Sequence, residues 1–444
     1  MQNKEKNYLI LILIHVIIGV SVYGLPVLAK IYSVAMIVFG LYFVIRNRNR
    51  NNEVLYAAAY IVGSEVFLRM TGGNINYEFA KYSVIIFCVI GFFYSGFSKN
   101  ALPYWIYLLL LIPGIVIATE VLSLANQDIR KTIMFNVSGP ICLGVASLYT
   151  YNRKIKIEQV NNILLVLGLP IISCVVYLFL FTPSIKDALI GTGSNTSLSG
   201  GFGPNQVSTI LGLGMFIFFS RLILASRTKL IFVVNLIFAL YISYRGMLTF
   251  SRGGMMTGFA MIIALLFIIY INSKDIGKIK LNYFFFFVTI AMVTVWMVTS
   301  YKTDGMIDKR YANKDASGRK KEDNFTGRGD IAEGEIAMFL EHPFFGVGVA
   351  KGSEIRAEQM GLNDLFASHD EITRMLAEHG SLGILALMIL FFTPIFLFLD
   401  NKQHIYMFSF LIFWLLTINH AAMRTASPSF VYALSLLKVK FDEA

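Results

Sequence analysis

Apolar stretches of about twenty residues recur along most of this 444-residue chain, and nothing else in the sequence constrains its fold as strongly. As a helix, a stretch of that length rises ~30 Å, the thickness of a bilayer's hydrocarbon core. Only 15% of the residues are charged and 56% are hydrophobic, whereas soluble proteins carry about 25% charge. A water-soluble globular enzyme is excluded. Hydropathy predicts spans near 7–23, 26–45, 54–70, 83–97, 103–121, 132–150 and 159–182, then near 206–224, 229–250, 254–272, 281–300, 381–399, 404–419 and 427–438. The expected fold class is all-α, a polytopic transmembrane helical bundle of 12 to 14 spans. Three parts follow: eleven spans over 1–300, one long loop over 301–380, and the remaining spans over 381–444.

Lysine and arginine outnumber the acids by 38 to 27, an excess that in a soluble protein would suggest nucleic acid. Here residues 301–380 hold 11 basic and 15 acidic side chains, leaving 27 against 12 elsewhere, mostly in short loops. Cytoplasmic loops are enriched in Lys and Arg, so the excess is topological and no nucleic-acid partner is expected. One side receives Lys4/Lys6, Arg46/Arg48/Arg50, Lys99, Arg153/Lys154/Lys156, Arg227/Lys229, Lys274/Lys278/Lys280, Lys402 and Lys438/Lys440. Both termini are then cytoplasmic. The opposite side receives the loops 71–82, 122–131 and 183–205, the Ser251–Gly254 turn and the long loop. The first apolar run lacks a convincing cleavage site and is read as an uncleaved span. Cys88, Cys142 and Cys174 fall inside apolar stretches and form no disulfide or metal-binding spacing. With no His-Glu-x-x-His or comparable cluster either, no metal or other cofactor is expected.

The long loop divides near residue 326. Its first part, 302–324, is polar and without apolar periodicity, so it is expected as a surface excursion. From Ile331 to Leu340 apolar residues recur at helical spacing, His342-Pro343 ends that helix, and Gly346-Val347-Gly348 makes a turn. A second helix is predicted over 370–378, with Gly380 as its C-terminal cap.

Charges within or at the edge of spans are costly in hydrocarbon, which makes each a functional candidate. Glu65 and Arg69 lie four apart on one helix face, the spacing of an ion pair. They are read either as a neutralised structural pair or as Arg69 offered to an anionic ligand. Arg245 and Arg252 are seven apart and share a face if the ninth span continues that far. Gly253-Gly254 after Arg252 permits close approach of a ligand to the backbone. Arg328, between Gly327 and Gly329, repeats the pattern of an arginine in an unhindered turn. Among the histidines, His342 reads as a helix-end residue and His379 as a cation on a helix C-terminus. His369 opens a helix, where the dipole favours the neutral imidazole that a general base needs.

These residues, in this order, resemble the O-antigen ligase and Wzy-type polymerase superfamily of bacterial envelope glycan enzymes. The resemblance rests on Ser251-Arg252-Gly253-Gly254 opening a span, Gly327-Arg328-Gly329-Asp330, Glu341-His342-Pro343-Phe344-Phe345-Gly346-Val347-Gly348, His369, and Leu376-Ala377-Glu378-His379-Gly380-Ser381-Leu382-Gly383 re-entering the membrane. It covers roughly 200–390, and Gly203-Pro204-Asn205-Gln206 is similar to the turn that precedes this core. Asp370 stands where the family usually has Asn after the histidine. The resemblance implies a bundle laid out like other lipid-sugar glycosyltransferases, in the bacterial inner membrane, with its active site facing the periplasm. It also implies a polyprenyl-pyrophosphate-linked glycan as donor and lipid A core, a glycan or a protein as acceptor.

Arginine suits such a donor, because its guanidinium stabilises a departing pyrophosphate by bidentate, charge-assisted hydrogen bonds without a metal. Arg252 and Arg328 are expected in that role, with Arg69 and Arg245 behind them. His369 is expected as the base, oriented by Asp370, and Glu65 as the partner of Arg69. The ligase reading has polymerase and protein O-oligosaccharyltransferase alternatives. A transporter of a lipid-linked or anionic solute is the alternative of another class.

Overall fold

The computed structural model describes residues 2–123, 128–182, 184–189, 191–320, 328–360, 368 and 370–441, without the side chains of residues 2, 3, 328, 359 and 360. Eleven helices come first: α1 (Gln2–Gly24), α2 (Val27–Asn47), α3 (Glu53–Met70), α4 (Phe79–Ser95), α5 (Leu102–Val121), α6 (Ile129–Thr150), α7 (Ile157–Phe181), α8 (Pro204–Leu224), α9 (Lys229–Leu248), α10 (Arg252–Asn272) and α11 (Asp275–Lys302). The long loop contributes α12 (Met306–Tyr311), α13 (Arg328–Glu341) and α14 (Lys351–Met360). The chain ends with α15 (Glu371–Asp400), α16 (Met407–His420) and α17 (Ala426–Leu434). The protein is an all-α, multi-pass helical bundle.

Among the described residues, ten helices are long and apolar enough to cross a membrane, and α4 and α16 are shorter apolar ones. Two further predicted spans coincide with α3, which carries Glu53, Glu65 and Arg69, and with the nine-residue α17. From Glu53 to Leu68 nearly every α3 side chain is buried, so its charges face protein rather than lipid. α11 is the opposite case. Only Leu281, Val288, Val295 and Thr299 are buried, one narrow stripe, while Phe286 and Met297 stand exposed on a flank made for lipid.

Glycines set a close helix contact. A Cβ on Gly254 would lie 2.2 Å from Ser208 C, and one on Gly258 2.3 Å from Gly212 O, so α8 and α10 touch backbone to backbone. Without a hydrophobic drive between helices in lipid, small residues that let backbones meet supply much of the packing. At one end of the bundle, strands β1 (Lys154–Lys156) and β2 (Lys438–Lys440) pair in parallel with Ile155 opposite Val439. The α6–α7 connection and the C-terminal tail therefore share that end.

The long loop holds more structure than its sequence predicts. The expected polar excursion over 302–324 contains α12, too short to show periodicity and tied down by tertiary bonds. Trp296 Nε1 donates to Asp308 (2.7 Å) and Arg310 Nε to Phe250 O (2.8 Å). The predicted second helix does break at Gly380 (φ 59°, ψ −140°), but it resumes and runs on to Asp400. Ser381 N, which an unbroken helix would spend on Ala377 O, donates instead to Pro343 O (2.8 Å). The carbonyls of Ala377 and Glu378 accept from Val347 N (2.9 Å) and Gly348 N (3.2 Å). The His342–Gly348 segment thus satisfies the polar groups that the kink releases.

Candidate active site

Arg252 is the first residue of α10, half-buried, with Nη1 donating to Arg310 O (3.4 Å). Its position is held from three sides. Ser251 Oγ donates to Asn205 Oδ1 (2.8 Å), Ser208 Oγ donates to Ser251 O (2.8 Å), and Asn195 N donates to Thr249 O (2.9 Å). Arg310 reaches Phe250 O and, through Nη2, Ser194 Oγ (3.4 Å). Arg252 thus opens a helix, whose N-terminal amides and dipole suit anions. The glycines after it serve the fold: Gly254 meets α8, and a Cβ on Gly253 would lie 2.5 Å from the His420 ring. The close approach anticipated for a ligand is made by neighbouring protein.

A cavity of about 250 Å³ opens among α8, α9, α10 and α11. Met215, Met247, Met255, Met256 and Met292 line it, and Trp296 and Tyr311 stand in its wall. Tyr311 follows Arg310, whose carbonyl Arg252 holds, so this apolar chamber adjoins the arginine. Methionines adapt to irregular apolar shapes.

Across the α16–α17 turn lies a second group. His420 Nε2 is 3.2 Å from Thr209 Oγ1, and four residues later Arg424 Nη2 donates to Ser368 O (3.1 Å). Arg69 donates through Nη2 to Glu65 Oε1 (2.7 Å) and to Arg424 O (3.1 Å), and it stacks over Tyr77 with 4.5 Å to the ring centre. Glu65 Oε2 accepts from Ala426 N (2.7 Å). The Glu65–Arg69 pair therefore forms as expected and also fastens α3 to the turn. Arg69 Nε and Nη1 remain buried without a hydrogen-bond partner.

The loop helices are docked by buried charge. Arg374 pairs with Glu371 and with Glu378 (2.5 Å) and donates to Asn136 O (3.3 Å). Glu335 on α13 pairs with Arg356 on α14 (3.0 Å) and accepts from Thr373 (2.6 Å) and Ser368 (3.2 Å). Burial pushes the Glu335 carboxyl above its ordinary value, against the pull of Thr373, Arg356, Arg374 and Ser368. Asp370 is raised by burial as well, against its bond from Ile372 N.

The remaining sequence candidates separate. The chain leaves the helix after Leu248, Phe250 takes φ 56°, and a new helix starts at Arg252. Arg245 and Arg252 thus share no helix face. Arg245, 2% exposed, donates to Leu178 O (2.7 Å) in the last turn of α7. Asp370 Oδ1 caps α15 by accepting from Ile372 N (2.8 Å). His379 is no exposed helix-end cation; it is buried at the kink against Gly114, and its Nδ1 has no partner. Arg328 opens α13, its side chain beyond the described set, and His369 lies outside the described residues. His420, Arg424, Arg310 and Arg374 do not stand out in the sequence. The available signals are Arg424 alone in a turn on the side expected to be poor in basic residues, and the Arg374–Glu378 spacing of four.

The family match covers α10, α11 and the loop helices, together with parts of α9 and α15, and so includes Arg245, Arg252, Arg328, His369 and Asp370. It leaves out Glu65, Arg69, His420 and Arg424. A comparison with curated proteins gives no match. Residues 236–388, about a third of the chain, match the family described as O-Antigen ligase, a likeness that supports the O-antigen ligase and Wzy superfamily.

Proposed function

We propose that this protein is a glycosyltransferase of the O-antigen ligase type, moving a glycan from polyprenyl pyrophosphate to lipid A core on the periplasmic face of the bacterial inner membrane. The observation that carries the reading is Arg252 at the N-terminus of α10, beside Arg310 and next to a methionine-lined cavity. That pairing suits a ligand with an anionic head and a long apolar tail. The acceptor hydroxyl attacks the anomeric carbon as the bond to pyrophosphate breaks. The proton passes to His369, and polyprenyl pyrophosphate leaves with the electron pair. Arg252 and Arg328 take up the growing negative charge, a contact worth about 10² to 10³ in rate. Base assistance adds about 10² to 10⁴. Arg69, held by Glu65 and Arg424, is a third guanidinium at the same end of the bundle. Arg245 acts through α7 and keeps the α7–α9 contact in place.

The test is purified full-length chain with a lipid-linked glycan and three acceptors: lipid A core, a second lipid-linked glycan and a Ser/Thr peptide. Transfer to lipid A core that Arg252→Ala abolishes supports the ligase. Transfer only to another acceptor replaces it with the polymerase or the protein ligase. If transport across vesicles occurs without transfer in detergent, the enzyme reading fails.

A further inference from the structure

At the opposite end of the bundle a second cleft, of about 550 Å³, opens between the first turns of α1, α7 and α9 and the last turn of α8. Arg221 in that cleft and Thr209, which contacts His420, sit twelve residues apart on α8, ~18 Å along the helix. The Arg221 side chain is buried to all but 8%, its guanidinium lies 4.9 Å from the Tyr8 ring centre, and its Nε has no hydrogen-bond partner. Among the described residues no carboxylate lies within ion-pair distance of it. Four other charged groups line the cleft: Lys4, Arg227, Glu5 and Glu158. Lys4 pairs with Glu158 (3.6 Å), which leaves Arg221 and Arg227 facing Glu5 alone. The cleft is therefore net basic. One wall is apolar, formed by Leu11, Leu165 and Ile231.

A desolvated guanidinium with an unmet donor is costly unless an anion supplies the missing partner. Basic pockets between transmembrane helices, with apolar walls beside them, suit lipid head groups. We propose that this cleft binds the head group of an anionic phospholipid, with its phosphodiester on Arg221 and its acyl chains along Leu11, Leu165 and Ile231. Arg227, exposed at the rim, adds long-range attraction. The bound lipid fills the space between α1 and α8.

Native mass spectrometry of the full-length chain, with phosphatidylglycerol and phosphatidylcholine of matched acyl chains, tests this. Phosphatidylglycerol should be retained about 5-fold better per basic residue engaged. Arg221→Gln should remove the preference. Arg227→Gln, at a solvated position that cannot unfold the bundle, should weaken it. Equal retention of the two lipids overturns the proposal, as does an Arg227→Gln protein with unchanged preference. Displacement of the lipid by millimolar glycerophosphate would mark a site for a soluble phosphate ester and overturn the lipid assignment.

Discussion

Arg252 and Arg424 illustrate two ways in which one guanidinium serves a site. Arg252 faces the cavity end of α10, and its loss should lower glycan transfer by about 10² to 10³ while leaving the melting temperature close to that of the parent. Initial rates in detergent, with thermal unfolding alongside, measure both. Arg424 works by position: its carbonyl holds Arg69 and its side chain holds Ser368, the residue before His369. Arg424→Ala should reduce transfer by up to about 10²-fold through misplacement. Glu335 adds a pH dependence. Its carboxyl is raised above the ordinary value, so the folded state holds its proton more tightly than the unfolded chain does. The stabilisation is fully present below the unfolded value and is lost as pH rises through the raised one. Hydrogen exchange of α13 amides, corrected for intrinsic rate, should show tighter docking at the acid end of that window, and Glu335→Gln should flatten the response.

At the scale of elements, α8 and α10 approach closely because Gly212, Gly254 and Gly258 carry no side chain at their crossing. Gly254→Leu would push a side chain into the Ser208 backbone and should cost at least about 1–3 kcal/mol. A lowered unfolding midpoint in detergent, together with lost transfer from a displaced Arg252, is the expected outcome. Gly24, where an added Cβ would meet nothing within 4 Å, is the matched control, and Gly24→Ala should leave both unchanged. Gly380 is constrained differently. Its φ of 59° belongs to the left-handed region, and a Cβ there would lie 2.7 Å from Gly346 N. The kink and the strap of residues 342–348 depend on each other through that contact.

For the whole molecule, sidedness is the property to test, and the three native cysteines are all buried and should stay silent toward labels. A single cysteine at the exposed Asp187 should react with a membrane-impermeant maleimide in spheroplasts, whereas one at Lys154 should react only after permeabilisation. The reverse pattern would turn the bundle over and rule out the proposed periplasmic site. Span-length apolar runs, alternating basic loops and the Arg252 turn were legible in the sequence. Each depends on local composition: twenty apolar residues need hydrocarbon wherever the rest of the chain lies, and a helix start is announced by its own neighbours. Tertiary structure alone decided which charges meet. Arg69 finds the carbonyl of a residue 355 positions away, Arg245 turns to the end of α7, and the glycines beside Arg252 are spent on α8 and His420. A buried guanidinium takes whichever acceptor the packing of distant helices brings within reach, and that proximity is not written in the residues on either side of it.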